Sequence, residues 1–196
     1  MSDPIEVLDF WLGEIGPEGW YKGSAEIDDA CATRFGELLD ALADEGLEHW
    51  VDGAVGSLAY LIVADQFSRN IHRGTPRAFA TDALARAAAR RAVEAAWDLE
   101  APQPERQFFY MPFEHSEDLV DQDLAVELMQ ERMPDHPEQL LHAIAHREMI
   151  RRFGRFPLRN EALGRDNTPE ETAFLAEGGY PALVETLRKA SHASDA

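Results

Sequence analysis

Three observations predict an all-α fold. Helix-start signatures recur along the chain, apolar residues fall at spacings of three and four, and neither period-two alternation nor an Asn-Gly hairpin occurs. In "DPIEVLDFWLG", Asp3 is placed as N-cap, Pro4 at the first helical position, Glu6 as the third-position partner of a capping box, and Gly13 as the stop. A second helix is expected from Ser24. Its stripe of Ile27, Cys31, Phe35, Leu38 and Leu42 follows one helical face, and Gly46 can end it.

The third helix spans about 54–70. Its middle is apolar on every side, which predicts a central position. After a Gly-Thr-Pro turn at 74–76, Asp82 is expected to cap an alanine-rich helix reaching about Asp98. Ser116 is then expected to cap a helix from Glu117 to about Arg132, with an acidic first turn that suits the helix dipole. Another helix runs from Glu138 to Phe153 and stops at Gly154. "TPEE" at 168–171 reads as cap, first-turn proline and capping box, and a last helix follows Gly178-Gly179. Successive helices with short connections suggest antiparallel hairpins.

With 196 residues and 45% hydrophobic composition, one compact domain with a real core is expected over 1–190, followed by a disordered tail, "SHASDA". The longest apolar run, Ala59 to Ala64, is far shorter than the roughly 20 residues of a membrane span. "MSDPIEVLDF" lacks the basic and apolar regions of a signal peptide, and the single Cys31 permits no internal disulfide. These features predict a cytoplasmic protein, with Cys31 as a small core residue.

The net charge of −19 argues against nucleic-acid or anionic-membrane partners. Two basic islands stand against it. Residues 66–91 hold six arginines and one acid, and residues 147–165 hold six arginines and two acids. Arginine's planar fork suits carboxylates and phosphates, whether those of a ligand or of the chain's own surplus acids.

Three segments carry candidate chemistry. In "DQFSRNIHR", Asp65, Gln66, Arg69, Asn70 and Arg73 follow directly on the apolar run. They line a ligand site or lock the helix through an Asp65–Arg69 pair and polar capping. In "FFYMPFEHSED", Glu114 beside His115 is a common acid–base pairing near a helix start. In "HAIAHREMIRRFGRFPLRN", His142 and His146 share a helical face. Ala143 follows His142 where the two-histidine zinc motif needs Glu, so no metal site is assigned. His146 with Arg152, Arg155 and Arg159 reads instead as part of a ligand wall. No glycine-rich phosphate loop, nucleophile elbow or paired-cysteine motif occurs, and no cofactor is expected.

The segments "DQFSRNIHRGTPRAFATD", "FFYMPFEHSED" and "RRFGRFPLRNEALGR…TPEE", in this order between "VLDFWLG" and "TPEETAFL", resemble the bacterial domain of unknown function 924 family. The resemblance implies a tetratricopeptide-like helical superhelix and implies no activity. The family motif has proline where this chain has Ser68, which should allow a more regular helix end.

The sequence therefore predicts a pocket for a small carboxylate or phosphate ligand. Gln66, Arg69, Asn70, Arg73, Arg152, Arg155 and Arg159 would bind it, with His115, Glu114, His146 and Asp65 as candidate acid–base groups. Two other readings stay open: a groove for an acidic peptide, and ion-pair networks that only hold the helices together.

Overall fold

The computed structural model describes residues 3–44 and 46–194, with side chains described through 191. All regular elements among the described residues are helical. They cluster into two compact units, Met1–Pro112 and Phe113–Ala196, within the span that the sequence reads as one domain.

The first unit opens with α1 (Pro4–Leu8), where Asp3 Oδ1 accepts from Glu6 N at 2.9 Å. Gly13 does not stop the helix. The chain widens into a π-wound stretch, Asp9–Ile15, and continues through α2 (Gly16–Gly19). A Cβ at Gly13 would meet nothing within 4 Å, so nothing there requires glycine, whereas Gly16 takes φ +64°. The Ser24 hydroxyl caps α3 (Ala25–Ala43) by accepting from Ile27 N. Cys31, Phe35, Leu38 and Leu42 of its stripe are buried. Burial pushes the Cys31 thiol up to about 12, which makes it an inert core group.

The central helix comprises α4 (Ala54–Leu61), a π-wound turn Ile62–Phe67, and α5 (Ser68–Ile71). The apolar run 59–64 is buried on every side, as its pattern predicts, and the polar Ser57, Asp65, Gln66 and Ser68 around it are buried too. An aromatic cluster joins it to the N-terminal segment: Phe35 stacks on Phe67 at 4.8 Å, and the edges of Phe10 and Trp11 meet Phe67 at 5.8 and 5.5 Å. Gly56 lets α4 approach the short helical turn Glu48–Asp52 closely, since a Cβ there would sit 2.2 Å from Trp50 O. The next helix, α6 (Asp82–Glu94), turns Ala85, Ala88, Ala89 and Ala92 inward. Thr81, not Asp82, occupies its cap position. The helix ends well before Asp98, whose buried carboxylate accepts from Tyr110 OH at 2.6 Å.

The chain leaves the first unit within α7 (Met111–Glu114). In the second unit, α8 (Leu119–Arg132) starts two residues later than the sequence suggests. Asp118 is its cap, accepting from Val120 N at 2.8 Å. Ser116 instead accepts from Asp118 N and donates to Asp121 Oδ2, bracing the preceding loop. Helix α9 (Pro137–Phe153) packs along α8 and ends at Gly154, φ +69°. In α10 (Pro169–Ala176) the full Thr168–Glu171 capping box forms. Helix α11 (Gly179–Ser194) takes in 191–194 of the expected tail, and 195–196 lie outside the described residues. Met149, Ile150, Phe156 and Phe174 form the core beneath α10 and α11.

Candidate functional site

The first candidate segment lies on the π-wound turn. Widening a helical turn displaces its carbonyls from the usual i→i−4 donors. Here three successive carbonyls are met by side chains four residues on: Ala64 O by Ser68 Oγ at 2.8 Å, Asp65 O by Arg69 Nη1 at 2.7 Å, and Gln66 O by Asn70 Nδ2 at 3.0 Å. Thr81 Oγ1 adds a second hydroxyl to Ala64 O at 2.6 Å. Ser68 itself opens the α-helical turn Ser68–Ile71 that follows the widened one. Ser68 N–H reaches back five residues to Val63 O, and its hydroxyl serves the widened turn.

The side chains themselves are engaged within the protein. The Asp65 carboxylate accepts from Gln66 Nε2 at 2.5 Å and pairs with Arg69 at 3.2 Å; Arg69 also reaches Asp82 at 3.1 Å. Only 2% of the Asp65 side-chain area and 20% of that of Arg69 remain exposed. Arg73 grips Asp28 with two bonds, 2.7 and 2.8 Å, and donates to Asn70 Oδ1.

The second unit gathers Glu114, His115, His146 and Arg159. His146 Nδ1 lies 2.8 Å from His142 O. A carbonyl only accepts, so Nδ1 carries the proton, and the neutral ring presents its lone pair at Nε2. Glu114 Oε2, from a nearly buried carboxylate, lies 3.6 Å from the same Nδ1. The His115 and His146 rings are 5.9 Å apart, and Phe156 and Tyr180 flank His146 at 5.7 and 5.0 Å. Arg159 lays its guanidinium 4.4 Å over the Phe156 ring and donates to His115 O at 2.8 Å. Burial, then the neighbouring His115, push the His146 imidazole well below its usual range, so it stays neutral at physiological pH.

The loop carrying Glu114 and His115 is held from α8. The Gln122 carboxamide donates to Glu114 O at 2.6 Å and Ser116 O at 2.7 Å. Glu117 accepts from Phe156 N and takes both bonds of Arg165, at 2.8 and 2.9 Å, which ties the Arg159 loop to the same segment. Burial opposes ionisation of Glu117, but the Arg165 bonds, the Phe156 N–H and the charges of Arg165 and Arg159 together hold the carboxyl below its usual range.

The two other arginines proposed for a ligand wall meet carboxylates. Arg152 pairs with Glu170 at 3.0 Å, and Arg155 forks onto Glu171 at 2.6 and 2.8 Å. Glu171 is thereby shared between the arginine and the α10 capping box. Sequence reasoning missed Tyr180, whose hydroxyl lies 2.6 Å from His142 Nδ1; a tyrosine after Gly178-Gly179 carries no spacing signal. Thr81, Gln122 and the Glu117–Arg165 pair were also missed, because each acts across the chain rather than along it. Among the described residues, no group of three or more His, Cys, Asp or Glu is arranged to hold a metal ion, and no helix is long and apolar enough to cross a membrane.

The family model described as "Bacterial protein of unknown function (DUF924)" matches residues 7–179, a span that includes both clusters. The chain belongs to this family. It is also similar to a solved structure from Agrobacterium tumefaciens, described as protein of unknown function ATU0120. The two share 41% identity over 89% of this chain and 97% of that one, with a TM-score of 0.84. No curated protein matches the chain.

Proposed function

We propose that the second unit of this DUF924 member binds a small anionic metabolite, a carboxylate or a phosphate, at Glu114, His115, His146 and Arg159. One observation carries this reading: a neutral His146, its Nδ1 proton committed to a backbone carbonyl, shares a cluster with a guanidinium laid over an aromatic ring. An imidazole with a fixed tautomer presents its Nε2 lone pair to a ligand; a bound anion favours protonation of the ring against the burial that keeps it neutral, and the arginine beside it holds that anion. Glu114 Oε2 stands 3.6 Å from His146 Nδ1, beyond hydrogen-bonding reach. Such a site would admit acid–base chemistry on the bound anion. The packing of consecutive helices α8 with α9 and α10 with α11 supports the hairpin arrangement of a tetratricopeptide-like fold.

A thermal-shift panel of inorganic phosphate and small mono- and dicarboxylates tests the site. A ligand at about 100 times its dissociation constant adds roughly 2.7 kcal/mol of stability. The upward shift should disappear in Arg159→Met and His146→Gln. A shift of the same size in both variants contradicts the assignment.

A different role is proposed for Asp65, Gln66, Arg69, Asn70 and Arg73: they stabilise the π-wound turn. The support is that Arg69 and Asn70, with Ser68, bond back to three carbonyls of that turn. Arg152 and Arg155, paired with consecutive acids of α10, are likewise read as structural.

A further inference from the structure

We infer that Tyr180 is a positioning residue for this site, fixing His142 and His146 in opposite tautomers. The inference rests on the acid–base reading of His146 and names a residue that the reading does not include. Tyr180, near the start of α11, places its hydroxyl between two histidines one turn apart on α9, 2.6 Å from His142 Nδ1 and 3.4 Å from His146 Nδ1. His146 Nδ1 bears a proton, because His142 O sits 2.8 Å away. Tyr180 Oη can therefore only accept from His146, as a weaker second acceptor, and its own proton is directed to His142 Nδ1. That leaves His142 with its proton on Nε2, whereas His146 carries its proton on Nδ1. The chain of donors runs one way: His146 Nδ1–H to Tyr180 Oη, and Tyr180 O–H to His142 Nδ1.

The arrangement has a functional consequence. Protonating His142 at Nδ1 would put a donor where the tyrosine already donates. The hydroxyl would have to turn away, and it cannot turn towards His146 while Nδ1 there holds its proton. The lock thus favours a neutral His142 ring, and the His142 carbonyl, with Tyr180 Oη as second acceptor, keeps the His146 lone pair at Nε2. Other groups act on the same rings. Glu138 favours and Arg188 disfavours a charge on His142; His115 and Arg159 disfavour one on His146, and Glu114 Oε2 stands 3.6 Å from its Nδ1.

Nuclear magnetic resonance of the ligand-free protein, labelled with nitrogen-15 in its histidine rings, reads the tautomers directly. The expected result is His146 protonated at Nδ1, His142 protonated at Nε2, and an upward shift of the His142 titration midpoint in Tyr180→Phe, which keeps the ring and removes the hydroxyl. A His142 proton on Nδ1 in the wild type, or an unchanged His142 midpoint in a folded Tyr180→Phe, overturns the inference. If that variant does not fold, the wild-type tautomers alone decide. A protein that shows both tautomers yet binds no anion refutes the ligand site and leaves the lock standing.

Discussion

The Ala64 carbonyl offers a sharp test of how the π-wound turn is held. It receives Ser68 Oγ at 2.8 Å and Thr81 Oγ1 at 2.6 Å, and all three residues are buried. Thr81→Val conserves shape and deletes one donor, and Ser68→Ala deletes the other. Each single substitution leaves the carbonyl with one hydroxyl, so each should cost about 1 kcal/mol, the net value of a typical hydrogen bond. The double variant leaves it with neither. Withdrawing donors from a buried acceptor costs about 1–3 kcal/mol, so the pair should cost more than the sum of the singles. Urea unfolding of the four proteins, compared at equal m-value, measures the coupling. Additivity to within about 0.3–0.5 kcal/mol would mean the two hydroxyls act independently and do not jointly serve one carbonyl.

Two further outcomes follow from the geometry. Gly56→Ala should destabilise by about 1–3 kcal/mol despite alanine's better helix propensity, because its Cβ would meet the Trp50 backbone; a stabilised variant by thermal melting would refute this. Acid should unfold the second unit in stages. The Arg155 fork holds Glu171 at about 2, and Glu117 also lies below its usual range. Depressed carboxylates lend stability above their unfolded pKa, about 4.5, that is lost as pH falls through the folded value. His146, also depressed, begins the loss earlier, below the ordinary histidine range near 6.5. Melting temperature should therefore fall from about pH 6 downward and steepen below about 4.5, and Glu171→Gln should flatten the lower segment.

What was legible in the sequence was what acts locally. Asp3 and Thr168 cap as read, a helix starts at Ser24 as expected, and Gly154 stops α9, because caps and stops depend on neighbours within a turn. The central burial of 59–64 followed from its all-round apolar pattern. Gly13 misled because a π-wound turn absorbs a glycine without ending, and winding leaves no composition signal. Ser116 misled because Asp118, two residues on, competes for the same role with a stronger acceptor. The Glu114, His115 and His146 candidates were recognisable by residue type. Their grouping depends on Gln122 and the Glu117–Arg165 pair, which span 6 to 48 residues of chain and follow no periodicity.

The most direct test of the ligand site is to titrate inorganic phosphate, and separately a small dicarboxylate, while following the ring signals of all seven histidines. The account predicts saturable shifts at His115 and His146 with one of the two anions, abolished in Arg159→Met. Unchanged His115 and His146 signals with both, or shifts confined to His49, His72 or His136, would contradict it.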